Sequence, residues 1–163
     1  MVTTGISREQ VLDWLSEVLD PEIPVLTITD LGIVRGVTID DELVVELTPT
    51  YSGCPATEVI EQSVIDALRK HGVEGVSIRR VLSPPWTTDW ISEEGRTKLK
   101  EYGIAPPEQG ASKRELLHGH RGIACPRCDS LNTAVVSEFG STACKASYKC
   151  CDCLEPFEYF KCI

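Results

Sequence analysis

Apolar residues at Val11, Leu12, Leu15, Val18 and Leu19 recur at steps of three and four, the spacing that puts one face of an α-helix against a core. Ser7 with Gln10 three residues later forms a capping-box pattern at its start, and Ile6 is placed to staple onto Val11. The helix is predicted to run up to Asp20-Pro21, since a proline disfavours helical backbone in the residue before it. Two β-rich runs follow, Ile33–Ile39 and Glu42–Thr48, joined by the acidic turn Asp40-Asp41, and Leu43, Val45 and Leu47 alternate as in a half-buried strand. A second helix is predicted from Cys54-Pro55, with Ala56, Val59, Ile60, Val64, Ala67 and Leu68 on one face and Gly72 beyond its last turn. Val76–Leu82 reads as a third strand, Ser83-Pro84-Pro85-Trp86 as irregular, and Ser92–Tyr102 as a short helix. This order predicts an α+β fold: a small mixed three-stranded sheet with helices on one face, followed by a β-rich module.

Length and charge sharpen the division. The 163 residues allow one domain of roughly 100 residues plus a small module. Residues 1–110 carry 9 Lys/Arg against 19 Asp/Glu, while residues 111–163 carry 7 against 6. The linker-like composition of Gly103–Ser112 falls at the same place. The expected organisation is a first domain over 1–103, a linker over 104–122 and a metal-binding module over 123–163. The net charge of −9 argues against general affinity for nucleic acid or anionic membranes, which demand clustered cations. The early charges Arg8, Glu9, Asp13, Glu17 and Asp20 leave no apolar core of signal-peptide type. A reducing cytoplasm is therefore the expected compartment.

Cysteine placement carries the most specific signal. Seven of the eight cysteines lie in the last 39 residues. Cys125-Pro-Arg-Cys128 and Cys150-Cys-Asp-Cys153 are two C-x-x-C pairs separated by 21 residues, close to the spacing of four-thiolate zinc sites. Each pair makes a tight turn that presents two thiolates to one ion, so Cys125, Cys128, Cys150 and Cys153 are predicted to hold a structural Zn(II). Cys151 in place of Cys150 would lose that spacing. Cys144 and Cys162 are either small buried apolar residues or a second metal or redox pair, and the roles of Cys144, Cys151 and Cys162 stay open. His118 and His120 read as solvated linker residues beside four better ligands.

Cys54 stands apart in Thr50-Tyr-Ser-Gly-Cys54-Pro55. With Pro55 at the first helical position, Cys54 is expected at the N-cap, where unpaired N–H groups favour a thiolate. Such a thiol could bind a soft metal or attack an electrophile, and a cysteine packed beneath the helix is the alternative. Asp20, Glu22 and Asp30 lie in one loop, in sequences that also form good turns. There is no Ser-His-Asp triad, phosphate-binding glycine loop or dinucleotide fingerprint, and the Glu-x-x-His pairs of a di-iron bundle are missing. Two other function classes can be set out. One is a nucleic-acid-binding ribbon using Arg127, Lys145, Lys149 and Lys161. The other is a thiol enzyme acting through Cys54, for which His71 lies about 25 Å along the helix and cannot serve as base.

Residues 7–90, with Asp20-Pro-Glu22-Ile, Asp30-Leu-Gly and Thr50-x-x-x-Cys54-Pro, resemble the small α+β domain of iron–sulfur assembly factors of the SufT and cytosolic targeting-complex type. The tail, with Cys125-Pro-Arg-Cys128, Phe139-Gly-Ser-Thr-Ala-Cys144-Lys-Ala and Glu155-Pro-Phe-Glu-Tyr-Phe-Lys-Cys162-Ile, resembles the PaaD family of phenylacetate-degradation proteins. That resemblance implies a bacterial, non-catalytic accessory protein of the phenylacetyl-CoA epoxidase system, assisting insertion of iron or an iron–sulfur cluster. The implied partners are the epoxidase subunits or the iron–sulfur reductase, with neither nucleic acid nor membrane and with a homodimer left open. It also implies that Cys54 is a transient iron or cluster ligand, with Asp20, Glu22, Asp30 and Thr50 shaping its surroundings. Asp129 stands where the family favours glycine, and Asp tolerates left-handed backbone better than most residues.

Overall fold

The structure, a computed structural model, describes residues 5–109 and 122–161. The chain divides into two compact units, one ending at Trp86 and the other starting at Thr87.

In the first unit, α1 spans Arg8–Leu15. The Gln10 N–H donates to Ser7 Oγ at 3.2 Å and the Ser7 N–H to Gln10 Oε1 at 3.0 Å, so the capping box forms as expected. α1 stops at Leu15, short of the predicted end at Asp20-Pro21. The cause is long-range: the Ile28 N–H donates to the Val18 carbonyl, the Asp20 N–H donates to the Leu26 carbonyl, and Leu19 bridges Thr27. Backbone that the helical spacing of Val18 and Leu19 would have kept in the helix is taken by this pairing, and Leu19 is left exposed.

β1 (Val34–Ile39) and β2 (Leu43–Leu47) pair antiparallel, and β2 pairs parallel with β3 (Val76–Arg80), giving the mixed sheet β1-β2-β3. Leu43, Val45 and Leu47 of the central strand are buried, as their alternation requires. The crossover between the parallel strands is α2 (Ala56–Lys70), which buries Ala56, Ile60, Val64 and Leu68. Val59, expected on that face, is exposed. After α2 the backbone turns through Gly72 at φ +80°, and the Gly72 and Val73 N–H groups satisfy the carbonyls of Arg69 and Leu68.

The second unit begins with a 3₁₀ turn at Thr88–Trp90 and α3 (Glu93–Tyr102), capped by Ser92 and ended by Gly103 at φ +92°. Composition groups this helix with the first domain, whereas its contacts group it with the second unit. β4 (Ile104–Ala105), placed in the linker by composition, pairs parallel with β7 (Pro156–Phe160). Around them β5 (Thr133–Ser137) and β6 (Lys145–Cys150) complete a sheet of order β4-β7-β6-β5. Its core comprises Ala105, Ile123, Cys125, Ala146, Tyr148, Cys150, Phe157 and Tyr159, with Tyr148 stacked on Phe157 at 5.8 Å. Residues 110–121, including His118 and His120, and the terminal Cys162 lie outside the described residues.

Candidate metal centre

Two chain segments 21 residues apart arrive at one point in the same local conformation. In the first, the Cys125 N–H donates to the Ser130 carbonyl at 2.9 Å, and in the second the Cys150 N–H donates to the Glu155 carbonyl at 2.9 Å. Each turn has its fifth residue in left-handed backbone: Asp129 at φ +58° and Leu154 at φ +67°. The tolerance expected of Asp129 is met, whereas Leu154 holds a conformation that costs a non-glycine residue about 1–2 kcal/mol. The next N–H in each turn, from Ser130 and Glu155, bonds the sulfur of Cys128 and Cys153 respectively.

These turns gather Cys125, Cys128, Cys150 and Cys153 so that all four Sγ atoms lie within 4.8 Å of one another. Cys125 Sγ is 3.7 Å from Cys153 Sγ, and Cys128 Sγ is 3.6 Å from Cys150 Sγ. A regular tetrahedron with Zn–S near 2.3 Å has edges of about 3.8 Å, so the donor set and its spacing fit a four-thiolate dication. Cys125 and Cys150 are buried and Cys128 and Cys153 face outward, so half of the cage is also core.

The electrostatics explain why a cation suits this place. N–H groups of Cys153 and Asp152 aimed at Cys150 hold its thiol down to about 7. At Cys128 the Ser130 N–H favours the thiolate, but loss of water and the neighbouring thiols Cys153, Cys150 and Cys125 outweigh it and push the thiol up to about 12. Four sulfurs this close cannot all ionise without a compensating charge. A bound Zn(II) would supply two positive charges and displace the remaining protons.

Spacing did not reveal the polar bridge beside the cage. Asp152, inside the second C-x-x-C turn, accepts hydrogen bonds from the Ser130 hydroxyl and from Asn132 Nδ2, the latter at 2.7 Å. These bonds hold its carboxyl below the usual range, Ser130 contributing first and Asn132 second. The Cys151 N–H donates to the Asn132 carbonyl at 2.8 Å. Cys151 itself is exposed, and Cys144 is buried with its sulfur 3.1 Å from Thr142 Oγ1.

The residues of the other expected site are placed differently. Cys54 is half-buried one position ahead of the N-cap, which is Pro55. Pro55 follows a turn in which Gly53 has φ +86° and the Cys54 N–H donates to the Tyr51 carbonyl. The N-cap placement of the thiol is thereby corrected: Pro55 already has helical backbone angles without being counted as the first helical residue. Asp20 Oδ1 accepts the N–H groups of Glu22 and Ile23 at 2.8 and 2.7 Å, and Asp30 Oδ2 accepts that of Thr27 at 3.0 Å. Both carboxylates thus organise the loop leading into β1, and Thr50 is half-buried in the turn before Cys54. Among the described residues, the four cysteines are the group of three or more ligand atoms drawn together, and Cys54, Asp20, Glu22 and Asp30 form no such group.

Three of the four cations considered for nucleic acid are engaged: Arg127 with Glu155, Lys145 with Glu158, and Lys161 with the Glu138 carbonyl and the Phe139 ring. His71 stacks on Trp14 at 4.6 Å. Among the described residues, no helix is long and apolar enough to cross a membrane.

The architecture of an α+β unit followed by a four-cysteine ribbon has clear counterparts. Residues 8–81 match the family model described as an iron–sulfur cluster assembly protein, and residues 109–161 match that of the PaaD zinc beta ribbon domain. The first unit's fold is shared with a domain of unknown function, DUF59, from Bacillus anthracis: TM-score 0.53, 29% identity, 56% of this chain and 89% of that one. It is shared too with a conserved hypothetical protein from Thermotoga maritima: TM-score 0.50, 33% identity, 60% of this chain and 97% of that one. "Fe-S protein maturation auxiliary factor SufT" of Staphylococcus aureus is 35% identical over 85 residues, covering 50% of this chain and 96% of its own length. The class is therefore an iron–sulfur assembly-type domain joined to a zinc ribbon.

One relative spans both parts. An Escherichia coli K12 protein, named as the putative fourth-lettered component of 1,2-phenylacetyl-CoA epoxidase, is 51% identical over 152 residues, covering 91% of this chain and 89% of its own. The chain belongs to the PaaD family.

Proposed function

We propose that this protein is a cytoplasmic, non-catalytic maturation factor of a phenylacetyl-CoA epoxidase system, assisting assembly of iron or an iron–sulfur cluster in a partner subunit. The observation that carries the reading is the continuous match of both units to the Escherichia coli epoxidase component, with an assembly-type domain in the first and a thiolate cage in the second. In this reading Cys125, Cys128, Cys150 and Cys153 hold zinc permanently, and the metal's part is to hold the ribbon together. Cys54 acts in the other unit as a transient ligand for iron or a cluster. Its support is its half-exposed position at the mouth of α2, preceded by Gly53, which lets a partner approach the backbone closely. Asp20, Glu22, Asp30 and Thr50 set the shape of the loops around it. The partners are the epoxidase subunits or the iron–sulfur reductase that serves them.

The test compares Cys54→Ser with the unaltered chain. The variant should fold, keep its zinc and leave the co-expressed epoxidase components deficient in iron. Full iron content in those components alongside the variant removes the role given to the thiol.

A further inference from the structure

Zinc is held by four sulfurs, but their positions depend on two turns that belong to separate parts of the chain. The first follows a loop, and the second links β6 to β7. What fixes one turn against the other in advance of the ion is a small polar network with Asp152 at its centre.

Ser130 places its backbone N–H on the Cys128 sulfur, while Asp152 places its own backbone N–H on the Cys150 sulfur. Those two sulfurs are the pair 3.6 Å apart. The side chains of the same two residues join: Ser130 Oγ donates to Asp152 Oδ2. Asp152 Oδ1 takes Asn132 Nδ2 at 2.7 Å, and Asn132 is tied back to both turns, its N–H to Ser130 Oγ at 3.0 Å and its carbonyl to the Cys151 N–H at 2.8 Å. Both carboxylate oxygens thus have donors within the protein. Asp152 is not among the gathered ligands, and a carboxylate beside four thiolates adds negative charge without coordinating the ion, so its place there needs a reason other than charge.

We infer that Asp152, through Ser130 and Asn132, is a positioning residue that locks the two cysteine turns in register and so slows zinc release from the cage. The inference rests on the zinc reading given above. Losing an outer partner of a metal site costs about 10–100-fold in metal affinity. The cost falls here on the rate at which one turn swings away from the other.

The experiment uses the full-length zinc-loaded protein and times zinc transfer to an excess of a chromogenic chelator. Asp152→Ala should release zinc about 10–100-fold faster than the unaltered chain, and Asp152→Asn, which can still accept one bond, should lie between them. The cobalt(II)-loaded variants should keep the absorption of a tetrahedral four-thiolate site, since no ligand has changed. Glu158→Gln, whose bonds are to Ser141 and Lys145, weakens the same sheet and should release zinc at the unaltered rate. Equal acceleration by Glu158→Gln would reduce Asp152 to a stabiliser of the sheet and overturn the inference. Release from Asp152→Ala within twofold of the unaltered chain overturns it as well. If Asp152→Ala does not fold, Ser130→Ala keeps the backbone N–H on Cys128 and removes one bond to the carboxylate, so it should accelerate release several-fold; no acceleration overturns the inference. An unaltered chain that holds no zinc defeats the zinc reading itself and the inference with it.

Discussion

Stripping the metal should unfold one half of the molecule and leave the other standing. Cys125 and Cys150 are two of the eight buried residues that make the core of the second sheet. Opening the cage therefore removes core side chains along with the ligands. Zinc binding contributes on the order of 10–16 kcal/mol in zinc-finger peptides, comparable to the roughly 5–15 kcal/mol that holds a whole domain together. The sheet of the second unit should not survive that loss. The first unit has a core of its own, with Val11, Leu15, Leu26, Ile28, Val45, Val64 and Leu68 each at 0% exposure, and needs no ion. Hydrogen exchange followed by mass spectrometry on chelator-treated protein resolves the two. Peptides from 133–160 should lose protection by orders of magnitude, while those from 34–80 keep theirs. Retained protection across β5–β7 in protein verified to be metal-free would refute the reasoning. Reloading at pH 7 should release protons, since the Cys128 thiol, pushed up to about 12, must ionise to bind.

Other substitutions probe the second unit away from the cage. A Cβ on Gly122 would lie 2.1 Å from the Leu131 backbone carbonyl; Gly122→Ala should cost about 1–3 kcal/mol, seen as a lower urea midpoint of the zinc-loaded chain. Glu158→Gln leaves the Lys145 ammonium, 6% exposed, without its carboxylate, and should cost about 2 kcal/mol at pH 7. The Glu158 carboxyl titrates below its usual range because the Ser141 N–H and hydroxyl and the Lys145 charge together outweigh burial, the largest single effect, which acts the other way. Its stabilisation is therefore complete above the unfolded carboxyl value near 4.3 and is lost as pH falls through the lower folded value. The stability of the unaltered chain should fall more steeply below about pH 4 than that of Glu158→Gln, and parallel pH profiles would contradict this.

What the sequence disclosed and what it concealed follow from the range of the interactions. Ser7 and Gln10 cap α1 through contacts three residues apart, and the cysteine pairs make turns from four consecutive residues, so both were legible. The end of α1 was not, because the Leu19–Thr27 bridge depends on how the loop between them folds back. Cys54 was displaced by a single position because a proline can serve as N-cap as well as first helical residue. Leu154 could not be read as left-handed, since leucine gives no hint of it, whereas Asp129 in the equivalent position did. Asp152 looked like a spacer within C-x-x-C, and its partners Ser130 and Asn132 lie twenty or more residues earlier.

The two-residue strand β4 has a practical consequence. By pairing with Glu158 and Tyr159 it covers one side of β7, whose backbone would otherwise present unpaired N–H and C=O groups beside Phe157 and Tyr159. A truncated protein beginning at residue 109, where the zinc-ribbon family match starts, would lack that cover and expose a strand edge of the kind that recruits other chains into aggregates. A fragment beginning at Thr87 keeps α3 and β4 and should stay monodisperse where the shorter one precipitates.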